Sequence, residues 1–276
     1  MWQFTIRGHD LSEITSVKEL AQSAEKVGVH HLQLAMGMSF PELVDKSTKL
    51  NPGLGRFIKD ELSKHEVDIA VLSCYINIIH PDAEERERLL GKFESFVKNA
   101  KEFGAAMVAS ETGCVLSQIQ YTEKNFTEVA FEDMVQVIQR LVKKGEEHGV
   151  MIGIEPGLNH PLHSLEKVKR LIDRVNSDYL GIILDPTNLI NSENYLEQVE
   201  MVKEAFQMFG DKICAFHLKD FIIKDKQVLP VNVFEGQMEV KEVLKIVADY
   251  KPYCYVVLEE TKDLGIKRAI DKLVKH

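Results

Sequence analysis

Short apolar runs rich in β-branched residues alternate along the chain with longer segments in which apolar residues recur every three or four positions. The short runs are typical of buried strands, and the longer period is typical of helices with one apolar face. The pattern predicts eight strands, at 4–7, 31–35, 68–73, 106–110, 151–155, 181–185, 213–217 and 255–259.

Helices are predicted after each of these strands. The first has a capping-box pattern, because Ser16 precedes its first apolar turn, Glu19 follows three residues later, and Gly28 ends it. The remaining helices are predicted at about 55–65, 83–103, 128–148, 164–175, 195–209, 240–248 and 264–274.

The alternation of strands and helices continues without a linker over all 276 residues. No stretch rich in Pro, Gly or Ser and no abrupt change of charge divides the chain. Eight βα units in one chain predict an α/β fold, a (β/α)8 TIM barrel, as a single domain over residues 1–276. A doubly wound open sheet is the alternative, but the first strand–helix turn, IRGHDLSEIT, lacks the GxGxxG of a dinucleotide site.

The charge balance and the terminus narrow the class of partner. Asp and Glu number 43 against 34 Lys and Arg, for a net charge of −9, which disfavours nucleic acid and anionic membranes. The amino terminus lacks a signal-peptide pattern, and no apolar run approaches the roughly 18 residues that a bilayer requires. We expect a cytoplasmic protein that binds neither nucleic acid nor membranes.

The four cysteines form no CxxC pair and are expected to be buried, reduced thiols.

Side chains of the kinds that bind metals end the last four predicted strands. The reaction site of such a barrel lies at the carboxyl ends of its strands. The fifth strand ends in Glu155, the sixth in Asp185 and the seventh in His217, while the eighth ends in Glu259 and Glu260. Strand alternation does not choose between the last two. Acidic groups this close would repel one another, so the pattern predicts a compensating divalent cation.

The donor set restricts the metal without fixing it. Carboxylates with one imidazole favour Mn²⁺ or Mg²⁺, and Zn²⁺ or Co²⁺ are compatible. The alternative for any single residue is a structural role, such as anchoring a loop at a strand end.

The motifs IEPG, LDPTN, HLKD and VVLEE, in this order on strands five to eight, resemble those of the xylose isomerase-like TIM barrels. This superfamily contains sugar and sugar-phosphate isomerases and epimerases of the tagatose-epimerase, hydroxypyruvate-isomerase and inosose-dehydratase kind. The resemblance covers nearly the whole chain and implies that the metal ligands are Glu155, Asp185, His217 and Glu259. It also implies that the catalytic proton-transfer groups are Glu155 and Glu259.

Other residues are expected to contact the substrate. The resemblance places His80, in SCYINIIHPD, beside the pocket and Glu111, in ASETG, in its mouth. His160 lies in the loop after the fifth strand and is expected to face the pocket. The alternative is that it caps the following helix. The family often has His three residues after the sixth-strand Asp, but Asn188 stands there, which can bond a hydroxyl and argues against a multi-metal site.

The residues after His217 are expected to support the site. Lys219 lies on the same face as His217 and is expected to contact a substrate oxygen, with a surface lysine as the alternative. Asp220 is expected to orient Lys219 or His217 as a supporting partner. Arg7 and His9 end the first strand, but the pattern assigns them no role.

These expectations combine into a metal-dependent isomerase or epimerase of a sugar, sugar phosphate or related polyol ketone, acting through an enediolate. The alternatives on the same scaffold are an inosose-dehydratase-like lyase, an endonuclease IV-like hydrolase and a noncatalytic sugar-binding barrel. A basic rim would favour the hydrolase, and failure to bind metal would favour the noncatalytic barrel. The oligomeric state is left open, with a homo-oligomer as one option.

Overall fold

The structure is a computed structural model that describes residues 3–44 and 50–274. Within these residues eight parallel strands close into a barrel, and β1 closes it by pairing with both β2 and β10. A separate antiparallel hairpin is formed by β8 and β9. The strands are β1 (Gln3–Arg7), β2 (His31–Ala35), β3 (Asp68–Ser73), β4 (Met107–Glu111), β5 (Met151–Glu155), β6 (Leu180–Leu184), β7 (Ile213–Leu218), β8 (Asp220–Lys224), β9 (Gln227–Val231) and β10 (Tyr255–Leu258).

Helices cover the outside of the barrel, as the apolar period predicts, so the chain is a (β/α)8 TIM barrel. At the first of them, the Ser16 side chain accepts a hydrogen bond from the backbone N–H of Glu19, and Gly28 ends the helix with a left-handed φ of 79°. The described helices are α1 (Val17–Val27), α2 (Met36–Ser39), α3 (Pro52–Ser63), α4 (Ala83–Phe103), α5 (Glu128–His148), α6 (Leu165–Val175), α7 (Gln198–Phe209), α8 (Val240–Tyr250) and α9 (Leu264–Leu273).

Several elements differ from the sequence prediction, among them the short helix α2, which was not predicted. Helix α3 begins three residues early, because the Asn51 side chain caps it and Pro52 suits its first turn. The start predicted for α7 is a short 3₁₀ turn. The β8–β9 hairpin was not predicted, and its two-residue turn places Asp225 and Lys226 at positive φ, 51° and 62°.

Alternate strand residues fill the inside of the barrel below its mouth. A small buried cluster consists of Ala70, Val71, Met107, Ala109, Ile183 and Ala215. Because side chains two residues apart share a face, Ala109 shares its face with Glu111, and Ala215 with His217. Glu111 and His217 therefore lie on the carboxyl-end side of this packed layer.

All four cysteines are free thiols, and three of them are buried. Cys214 is half-buried, and burial raises its pKa to about 12. Among the described residues, no helix combines the length and the apolar character that crossing a bilayer demands.

Candidate metal centre

Four ligand-type side chains from neighbouring strands meet at the carboxyl end of the barrel. They are the residues that the sequence singled out: Glu155 ends β5, Asp185 follows β6, His217 lies in β7 and Glu259 follows β10. All four are buried, and one ligand atom from each lies within 4.8 Å of the others. Glu260 is outside this cluster, where its carboxylate contacts Arg7 and Lys262.

The imidazole of His217 is oriented by a buried amide that the sequence analysis missed. Its Nε2 lies 2.9 Å from Oε1 of Gln33, and because an amide oxygen only accepts, Nε2 carries the hydrogen. Gln33 in turn donates to the hydroxyl of Tyr75 at 2.9 Å. The other ring nitrogen, Nδ1, faces Glu259 Oε2 at 2.5 Å and Glu155 Oε1 at 3.4 Å. This orientation makes Nδ1 the nitrogen available as a ligand.

Close charges shift the pKa values of the cluster in different directions. Burial alone would lower the pKa of His217, but the carboxylates of Glu155 and Glu259 outweigh it and raise that pKa to about 10. Burial opposes ionisation of Glu259, yet His217 and Lys219 hold its pKa well below the usual range. For Asp185 burial dominates and raises the pKa to about 6. In the absence of metal, the protonation of each carboxylate therefore depends on the others and on the positive charges of His217 and Lys219.

Lys219 and Asn188 link the carboxylates of the cluster. The Lys219 ammonium lies 2.8 Å from Asp185 Oδ2 and 3.2 Å from Glu259 Oε1, and it donates to Asn188 Oδ1 at 2.8 Å. Asn188 donates its Nδ2–H to Glu155 Oε1 at 2.7 Å. Lys219 is buried, so the surface-lysine alternative does not hold. It compensates negative charge that would otherwise be buried unpaired.

A buried arginine holds the other side of Glu259. The guanidinium of Arg7 donates to both carboxylate oxygens of Asp10, to Glu259 and to Glu260, at 2.7 to 2.8 Å. A planar guanidinium of this kind orients the carboxylates that accept its hydrogen bonds and also compensates their negative charge. Arg7 ends β1 and so carries a strand-end signal, but two of its three partners, Glu259 and Glu260, lie at the other end of the chain.

Glu111 and His160 form a second polar pair beside the cluster. Glu111 is the register partner of Glu155 on the adjacent strand, so their backbones are about 4.8 Å apart. His160 is buried, and its Nε2 lies 3.6 Å from Glu111 Oε2. Its Nδ1 donates to the carbonyl oxygen of Gly113 at 2.8 Å, which leaves Nε2 free to accept when the ring is neutral.

Two other predicted residues have different partners. The ring of His80 accepts a hydrogen bond from the backbone N–H of Asp82, at the start of α4. Within the described part of the chain, the Asp220 carboxylate forms no hydrogen bond or ion pair with Lys219 or His217, contrary to the expectation that it orients one of them. This carboxylate is fully buried and accepts hydrogen bonds from three backbone N–H groups instead.

The unsatisfied atoms of the cluster fit a divalent cation. Asp185 Oδ2, His217 Nδ1 and Glu259 Oε2 are buried without a hydrogen bond of acceptable geometry, although opposite charges lie near each of them. Buried polar atoms are rarely left in this way unless a water or an ion completes them. Three carboxylates and one imidazole are a donor set for Mn²⁺, Mg²⁺ or Zn²⁺. The residues present therefore fit a metal, and they do not select one.

The chain belongs to the xylose isomerase-like TIM barrel family, whose model matches residues 21–276. No curated protein matches the sequence.

Solved structures share the fold at low sequence identity. The IOLI protein with a bound zinc atom is 18% identical, with a TM-score of 0.74, over 99% of this chain and 95% of that one. A D-tagatose 3-epimerase-like protein is 18% identical, with a TM-score of 0.75, over 99% and 96%. The probable 3-DHS dehydratase AsbF from Bacillus anthracis is 17% identical, with a TM-score of 0.75, over 99% and 98%. At these identities the likeness establishes the fold alone.

Proposed function

We propose that this chain is a divalent-metal-dependent isomerase or epimerase of a sugar or a related polyol ketone. The observation that carries the proposal is the buried cluster of Glu155, Asp185, His217 and Glu259. Three of its atoms, Asp185 Oδ2, His217 Nδ1 and Glu259 Oε2, are buried without a hydrogen bond of acceptable geometry. Family membership and structural similarity to epimerases support it.

In the proposed reaction some residues compensate charge and others transfer a proton. A divalent cation held by these four side chains would polarise a substrate carbonyl and lower the barrier to breaking the adjacent C–H bond. One of the two glutamates, Glu155 or Glu259, takes the proton from that carbon, and an enediolate results. Arg7 and Lys219 keep Glu259 ionised, while the amide of Asn188 orients Glu155. Lys219 also supplies positive charge beside the developing negative oxygen.

The site of proton return decides the product. Return to the same carbon from the opposite face gives an epimer, whereas return to the neighbouring carbon, with transfer of a proton between the two oxygens, gives an aldose–ketose isomer. Loss of a β-hydroxyl from the same enediolate gives a dehydration product, so the lyase alternative shares the first step.

Metal content and solvent exchange test this proposal. Wild-type protein is expected to retain a single divalent ion per chain by elemental analysis, and His217→Ala to lose most of it. In D₂O, the loaded protein is expected to introduce deuterium next to the carbonyl of a ketose, as measured by NMR. Glu155→Gln and Glu259→Gln are expected to slow deuterium exchange at least about a hundredfold. The control variant Glu200→Gln, at an exposed position, is expected to catalyse exchange at the wild-type rate. Absence of metal after incubation with Mn²⁺, Mg²⁺, Zn²⁺ or Co²⁺ would contradict the proposal.

A further inference from the structure

A buried carboxylate fills a nest of backbone amides after the seventh barrel strand. Asp220 Oδ1 accepts the N–H groups of Phe221 and Met238 at 2.7 and 2.8 Å, and Oδ2 accepts that of Gly236 at 2.9 Å. A Cβ on Gly236 would lie 2.4 Å from Asp220 Oδ1, so the approach requires glycine. Converging N–H groups of this kind form anion sites in proteins.

The location of this nest bears on substrate charge. TIM barrels that act on phosphorylated substrates frequently bind the phosphate with the loops after strands seven and eight and a helix N-terminus. In this chain the amides after the seventh strand already hold an internal anion, Asp220. A phosphate could bind them only by displacing a fully buried side chain.

The helices that follow the last two barrel strands also begin unfavourably for an anion. Helix α8 begins after Glu239 and α9 begins after Asp263, and neither side chain caps its helix. A carboxylate at the positive end of a helix dipole already neutralises part of the field that would attract a phosphate.

The buried cations at the barrel mouth are paired with the chain's own carboxylates. Arg7 directs its donors to Asp10, Glu259 and Glu260, and Lys219 lies against Asp185 and Glu259. A phosphate or carboxylate substrate would have to compete with buried ion pairs, which are costly to break.

The Glu111–His160 pair is instead suited to hydroxyl groups. The Glu111 carboxylate accepts hydrogen bonds, and the Nε2 of neutral His160 accepts as well, because Nδ1 donates to Gly113. With these two acceptors 3.6 Å apart, adjacent hydroxyls of a polyol can each donate to one. A negatively charged substrate group would be repelled by Glu111.

We propose that the substrate is an uncharged polyhydroxy ketone or aldehyde, and that Glu111 and His160 accept hydrogen bonds from hydroxyls beyond the reacting carbons. This inference rests on the proposed function and narrows it by excluding phosphate esters and sugar acids.

Matched pairs of compounds test the substrate class. Deuterium exchange is measured by NMR for D-tagatose, D-fructose and D-xylulose and for a phosphate ester of each. Exchange is expected to be at least about tenfold faster, in kcat/KM, for the neutral member of a pair. Exchange confined to the phosphate esters overturns this inference and leaves the proposed function standing. Exchange with no compound counts against the proposed function itself, and the inference falls with it.

Binding of inorganic phosphate tests whether Asp220 already occupies the nest of backbone amides, and this test requires no turnover. The thermal unfolding temperature of the wild-type protein is expected to stay constant as phosphate is raised through the low millimolar range, against chloride at equal ionic strength. Asp220→Ala vacates the three N–H groups, so it is expected to unfold at lower temperature and to recover part of the loss with phosphate. Saturable stabilisation of the wild type by phosphate overturns the inference, even if Asp220→Ala does not fold.

Two variants test the hydroxyl contacts. Glu111→Ala and His160→Phe are each expected to raise KM for the neutral ketose about tenfold to a hundredfold while metal content stays at the wild-type level. The exposed Glu123→Ala, in the same loop region, serves as the matched control. Unchanged KM in both variants overturns the assignment of this pair.

Discussion

Gln33 accepts a hydrogen bond at 2.9 Å from the Nε2–H of His217, across the mouth of the barrel. The two residues are 184 positions apart and lie on strands β2 and β7, which are not neighbours in the sheet. This contact decides which nitrogen of His217 faces the carboxylates, and Tyr75 fixes the amide in turn. A single buried glutamine thereby connects the amino-terminal strands to the candidate metal centre.

Replacing Gln33 with Met keeps the length of the side chain and removes the acceptor. The imidazole then loses its orienting partner, and metal affinity is expected to fall about tenfold to a hundredfold. Competition against a chelator of known affinity measures the change. Gln139→Met, on the exposed face of α5, is the control. Equal affinities in Gln33→Met and wild type would show that the hydrogen bond does not position the ligand.

Lys219→Met removes the ammonium that compensates Asp185 and Glu259 in the absence of metal. Breaking this buried pairing is expected to lower the free energy of unfolding of the metal-free protein by about 3 to 5 kcal/mol. A bound divalent cation should offset part of that loss, because it supplies the missing positive charge. Urea unfolding with EDTA and with Mn²⁺ measures both values.

The matched control for this variant is Lys203→Met, which removes an exposed lysine on α7. Its unfolding free energy is expected to change by less than about 1 kcal/mol in either condition. If Mn²⁺ restores no more stability to Lys219→Met than it adds to wild type, the lysine acts through packing and not through charge.

Arg7→Lys keeps the charge at the end of β1 but loses the fork that reaches three carboxylates. The loss of charge-assisted hydrogen bonds is expected to cost about 2 to 3 kcal/mol of unfolding free energy. Arg88→Lys, in an exposed pair with Glu85, is expected to cost less than about 1 kcal/mol. Equal costs in denaturant unfolding would show that the buried network contributes no more than a surface pair.

His9 is expected to make stability depend on pH. Burial and the neighbouring charge of Arg7 lower its pKa to about 4 from 6.5, and neither ring nitrogen has a hydrogen-bond partner. The folded chain therefore holds the ring neutral, whereas the unfolded chain protonates it below pH 6.5. Stability from this group is present above pH 6.5 and is lost as the pH falls towards 4.

The expected loss over that window is about 1 to 2 kcal/mol, because partial exposure of the ring weakens the full linkage effect. His9→Gln removes the titrating group, so its unfolding free energy is expected to fall less steeply with acid. Urea unfolding at several pH values compares the two slopes. Parallel curves for wild type and variant would eliminate His9 as the source.

The order of elements and the ligand set could be predicted from sequence because both depend on local patterns. Short apolar runs predicted the barrel strands, and period-3.6 apolar spacing predicted most helices. Parallel strands in a barrel bring their carboxyl ends to one mouth, so Glu155, Asp185 and His217 could be grouped without knowing any distance. The β8–β9 hairpin was missed because Asp225 and Lys226 are a weaker turn signal than Asn-Gly.

The contacts that orient and neutralise the site residues depended on how the barrel closes. Arg7 reaches Glu259 over 252 residues, and Gln33 reaches His217 over 184 residues. Such pairings require knowing which strands close the barrel and how deep each residue sits, and neither appears in local periodicity. Strand alternation did not choose between Glu259 and Glu260, and the motif resemblance favoured Glu259. In the structure Glu260 has a positive φ of 53°, and its carboxylate contacts Arg7 and Lys262 outside the cluster. Sequence determined which chemical groups reach the mouth, because strand ends are local. Tertiary structure determined which groups orient and neutralise one another, because those contacts are long-range.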